Sequence, residues 1–88
     1  MNTAQKIIDM LQERWEQAER RLDTIDRTIN AAIRDIHKSD NINSIIAAAE
    51  SLKAIRRERA VTHTQALAYM SLIAAIEKLR KEESNGIH

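Results

Sequence analysis

A seven-residue repeat constrains this chain more than any other feature. From Ala4 to Ile36 one seam position holds Ile8, Trp15, Leu22, Ile29 and Ile36, the other holds Ala4, Leu11, Ala18, Ile25 and Ala32, and neither carries an acidic or basic residue. Alternating steps of three and four place all of these on one stripe of an α-helix, the stripe along which helices pack in coiled coils. A strand, whose faces alternate with period two, would scatter them to both sides. The first half of the chain therefore has to be a long helix whose apolar seam needs a partner.

The remaining sequence keeps the partner helical. There is no Pro, and the only Gly is Gly86, so the body of the chain lacks a strong helix breaker. Phe is absent and Trp15 and Tyr69 are the only aromatic residues. Elongated seams of Ile, Leu and Ala suit this list better than a compact core, which draws on large rings. The 88 residues make one domain, spanning 1–88, and the fold class is all-α.

Asn2 is a good N-cap and Gln5 follows it at capping-box spacing, so the first helix should run over about 3–38. That is a rod of roughly 54 Å. Arg14 and Arg21 flank the seam on one side and Gln12, Glu19 and Asp26 on the other, a pattern suited to pairing across a helix interface. Glu16 with Arg20 and Asp23 with Arg27 add pairs four residues apart.

Ser39, Asp40, Asn41 and Asn43 form the densest cluster of turn and cap residues, just after His37 and Lys38, whose side chains suit a helix C-terminus. A turn at 39–43 this short joins antiparallel neighbours. Folding the chain back about residue 40 or 41 sets Ile36 against Ile45, Ala32 against Ala49, Ile29 against Leu52, Trp15 against Ala66, Leu11 against Met70 and Ile8 against Ile73. The expected architecture is a long antiparallel helical hairpin of coiled-coil type. Its second helix covers about 44–83 and a short tail 84–88, with Ser84, Asn85 and Gly86 supplying the C-cap.

The middle of the second helix is its weakest part. Arg59, Thr62 and His63 fall where apolar residues are expected, and Val61, Thr62 and Thr64 are poorer helix formers. A three-helix arrangement with a break near Ala60 is the alternative, and the absence of Gly and Pro favours a continuous helix.

From Ala66 to Ile76 only Ser71 is polar, so this segment is apolar all round and one facing helix can cover only part of it. An oligomer or partner interface is expected at Ile7, Met10, Tyr69, Leu72, Ile76 and Leu79. A second copy is the first candidate, giving a dimer that forms a four-helix bundle.

Several function classes recede on composition. Without cysteine there is no disulfide framework or thiolate chemistry, which fits a cytoplasmic protein. The longest apolar run, Ala66 to Ile76, falls short of the roughly 20 residues of a membrane span. His37, His63 and His88 lie far apart without ligand-spaced companions, and there is no Gly-rich loop and no nucleophile beside a base, so neither a metal, a cofactor nor an enzyme is expected. His63 falls opposite Ala18 near Glu19, where a structural polar contact is the simplest role. The net charge of +1 exerts little long-range pull.

The expected function is a non-enzymatic protein–protein interaction module, an adaptor, regulator or inhibitor acting through helix docking. The alternative is a small RNA- or DNA-binding hairpin. Arg20, Arg27 and Arg34 recur every seven residues, and the fold-back brings Lys53, Arg56 and Arg57 to the same third of the rod, as a phosphate-binding strip would require. Glu16, Asp23, Asp35, Glu50 and Glu58 share that region and counter it.

Overall fold

The computed structural model describes residues 3–86, which form two helices, α1 (Thr3–Lys38) and α2 (Ile42–Gly86). They pack antiparallel as an all-α helical hairpin. α2 is continuous through residues 56–65, so the break near Ala60 does not occur. The Asn2 cap and His88 lie outside the described residues. Within them, the Gln5 amide donates to Asp9 Oδ1 at 2.8 Å and its oxygen accepts from Arg80 at 2.7 Å. Gln5 flanks the seam, and a cationic donor on the facing helix is in reach.

The turn is shorter than the cap cluster suggests, because Asn41 rather than Asn43 caps α2. Its Oδ1 accepts the backbone N–H of Asn43 at 2.9 Å and of Ser44 at 3.4 Å, and its carbonyl accepts from Ile45 N at 3.0 Å. Ser39 Oγ in turn accepts the N–H of Asn41 at 3.2 Å. α2 therefore opens at Ile42, two residues ahead of expectation, and it continues past Glu83 through Gly86. Replacing Asn41 with alanine should cost about 1 kcal/mol by leaving these first donors to water. A thermal melt followed by circular dichroism should then fall by roughly 4–8 °C, as expected for a domain of this size. An unchanged midpoint would show that water serves the turn equally well.

The seam on α1 is the predicted one. Ile8, Leu11, Ala18, Leu22 and Ile25 are buried, and Ala4, Trp15, Ile29, Ala32 and Ile36 are half-buried. On α2 the inward stripe is Ile45, Ala48, Leu52, Ile55, Arg59, Thr62, Ala66, Tyr69, Ile73, Ile76 and Arg80, of which Thr62 and Ala66 are buried. The expected pairings are therefore corrected. Ala49 and Met70 are exposed, and Ala48 and Tyr69 take their seam places. The expected register is itself shifted: the contacts of Asp26 with Arg59 and of Gln5 with Arg80 centre the fold-back near residue 42, which sets Trp15 level with Tyr69 and Ala18 level with Ala66. Folding about residue 40 or 41 selects Ala49, Arg56, His63, Met70 and Glu77, three of them polar, whereas folding about residue 42 carries the α1 seam onto the observed stripe. The stripe that α2 turns inward keeps the less polar set Ala48, Ile55, Thr62, Tyr69 and Ile76.

The hairpin is thin. A compact monomer of 10.1 kDa would expose about 5,300 Å², whereas this chain exposes 6946 Å². Among the described residues only Ile8 is a fully buried large side chain. The seam is tightest from Ile8 to Ile25 and loosens toward the turn.

Candidate functional site

The two flanks of the seam differ in chemistry. On the first flank Arg21 pairs with Glu58, and Arg21, Thr24, Ile25 and Thr28 meet Ile55 and Glu58 around a shallow depression. Seven-residue steps from Arg21 lead through Arg14 to Ile7, and steps from Glu58 lead through Gln65 to Leu72 and Leu79. The flank thus changes from charged to apolar toward the open end of the hairpin. The contact between Gln5 and Arg80 fixes the register there, setting Ile7 and Met10 level with Leu72 and Leu79. These four side chains are 39 %, 45 %, 51 % and 59 % exposed, so α1 and α2 leave a large part of each uncovered.

Of the expected interface residues, then, Ile7, Met10, Leu72 and Leu79 lie together on one exposed face. Tyr69 and Ile76 do not join them. Both are half-buried on the stripe that faces α1 and serve the seam.

The second flank was not singled out in the sequence. Trp15, Met70, Ile73 and Ala74 line a groove of about 410 Å³ there, rimmed by Gln12, Glu16 and Glu77. Leu67, 52 % exposed, lies one helical turn from Met70, 51 % exposed. A sequence signal existed, since Leu67, Met70 and Ala74 follow three-four spacing beside the seam. It was hidden by a segment that is apolar on every side. The indole N–H of Trp15 meets no protein acceptor.

Further along the second flank, Arg59 turns its guanidinium out of the seam, and its Nε donates to Asp26 Oδ1 at 2.6 Å. The hydrogen bond from Arg59 to Asp26, followed by the carboxylate's charge, raises the guanidinium pKa, so Arg59 keeps its charge at every pH where the protein is handled. The pair is roughly half exposed, 43 % and 48 %, so water and salt screen it. Replacing Arg59 with leucine should accordingly leave the hairpin folded and at least as stable in urea denaturation, because an apolar residue in the seam replaces a screened pair. Outright unfolding would show that Arg59 holds the middle of α2 in place. His63 is exposed and lines a depression with Glu19, Leu22, Asp23, Asp26 and Arg59, near the Glu19 neighbour the sequence suggested.

The basic residues divide between two surfaces. Lys53, Arg56 and Arg57 surround a shallow depression with Ala49, Leu52 and Ala60 on α2. Arg20, Arg27 and Arg34 occupy the heptad position on α1 farthest from the seam, and Arg27 is held by Asp23 at 2.8 Å. Among the described residues no group of three or more His, Cys, Asp or Glu could hold a metal ion, and no helix is long and apolar enough to cross a membrane.

The fold and these surfaces define a class, an antiparallel helical hairpin with apolar flanks at its open end. No protein-family model, curated protein or solved structure matches the chain.

Proposed function

We propose that the protein is a non-enzymatic, cytoplasmic interaction module, working as an adaptor, regulator or inhibitor of another protein through helix docking. One observation carries this reading: the second half of α2 exposes large apolar side chains on both flanks of its seam, Leu72 and Leu79 on one and Leu67 and Met70 on the other. Burying such a side chain is worth roughly 1.5–3 kcal/mol, and a two-helix pair has no third element to do it. The groove beside Trp15 suits an amphipathic helix of the partner. Its floor is apolar, and its rim carries Glu16 and Glu77 with no basic side chain among the lining residues. A basic flank on the docked helix complements it.

Capture from native host extract with the wild type and with a Leu67→Glu, Met70→Glu variant tests this. Both positions are exposed in the hairpin, so the fold should survive the change. The wild type should retain a protein with a basic amphipathic helix, and the variant should lose it. Retention of nucleic acid by both, falling steeply with salt and removed by Arg56→Ala with Arg57→Ala, would replace this reading with the phosphate-binding one.

A further inference from the structure

We infer that the first flank is covered by a second copy of this chain, related by a two-fold axis that runs along the length of the rod. This rests on reading the open end as an interaction surface and adds which occupant takes which flank. Three observations support it.

The first is area. The lone hairpin exposes roughly 1,600 Å² more than a compact chain of its mass. A standard interface removes about 800 Å² from each partner, so one flank buried along the rod removes a large share of the excess.

The second is the position of the apolar residues. Ile7, Met10, Leu72 and Leu79 sit at one end of the flank rather than at its middle. An axis perpendicular to the rod at its midpoint would lay them against the other copy's turn end, where this flank carries Thr28, Asp35, Ser44 and Ser51. An axis along the rod instead sets Ile7 and Met10 of each copy level with Leu72 and Leu79 of the other. It also makes α1 antiparallel to both of its neighbours, as in an up-down four-helix bundle.

The third is charge. Arg21 and Glu58 pair within the hairpin and so lie at one height. Under the same axis Arg21 of each copy comes level with Glu58 of the other, and the two pairs form an alternating ring without like charges in contact. Beside them Ala54, Val61, Ala68 and Ala75 continue the flank along α2 with side chains small enough for close approach.

The chain has no cysteine, so Asp40→Cys at the exposed turn gives a single labelling site. Sedimentation at tens of micromolar should give the dimer mass. Nitroxides on the two turns should lie within about 30 Å, since both turns then share one end of a bundle with 8–10 Å between helix axes. A separation above about 50 Å, close to the length of α1, would overturn the axis, and a monomeric wild type would overturn the inference as a whole. Leu72→Glu with Leu79→Glu should sediment as a helical monomer, and dimers persisting in that variant would overturn the assigned flank. Should that variant lose its helix signal, Met10→Glu on α1 decides the same question. The Leu67→Glu, Met70→Glu variant should remain dimeric, so loss of the docked partner and loss of self-association are read separately.

Discussion

Replacing Ile8 with alanine is expected to lower the unfolding free energy by about 2–5 kcal/mol, the usual cost of emptying a well-packed aliphatic site. Ile8 is 2 % exposed and is the one large side chain fully buried among the described residues. It sits where the seam must hold the open end of the hairpin, with no loop to tether α1 to α2. A domain of this kind has roughly 5–15 kcal/mol in total, so the loss should appear as a large fall in the urea midpoint and fraying of the open end. Ile46→Ala provides the control. Ile46 carries a similar side chain but is 52 % exposed, and its removal should change stability by less than about 0.5 kcal/mol. Equal losses at the two positions would mean that the seam does not run through Ile8.

How far the sequence could be read differs between the helices, and the reason is periodicity. α1 carries polar residues on every side but one, so Ile8, Leu11, Ala18, Leu22 and Ile25 announce the buried stripe, and all five are buried. Arg21 and Asp26, read as flanking charges able to pair across the interface, do pair with Glu58 and Arg59. α2 offers no such contrast, because its second half is apolar all round. There the choice between Tyr69 and Met70, or between Ala48 and Ala49, could not be settled by hydrophobicity. It follows from continuity along the helix, since only Ala48, Ile55, Thr62, Tyr69 and Ile76 keep a charge-free stripe through the polar middle. The same ambiguity placed Tyr69 and Ile76 with the surface residues and left the Trp15 groove unseen. At the turn, Asn41 and Asn43 are equally good caps by residue type. Only the hydrogen bonds at Asn41 Oδ1 distinguish them.

Replacing Ala66 with tryptophan is expected to destabilise the hairpin by about 1–3 kcal/mol, the usual cost of forcing extra volume into a packed site. Ala66 is 2 % exposed. It lies on α2 between the contacts that Arg59 makes to Asp26 and Arg80 makes to Gln5, level with Ala18 on α1, which is 8 % exposed, so small side chains meet in this layer and leave no room for a ring. A second indole would have to push the helices apart or turn into the groove beside Met70 and Ala74. Splaying at Ala66 would also expose Thr62, one turn away and 4 % exposed, together with Leu22 and Ala18 on the facing helix. The melting temperature should fall by several degrees, while Ser71→Trp, at an exposed position on the outward side of α2 away from both flanks, should leave it nearly unchanged. An unchanged midpoint for Ala66→Trp would mean that Ala66 and Ala18 do not meet in the seam and that the helices pair in a different register.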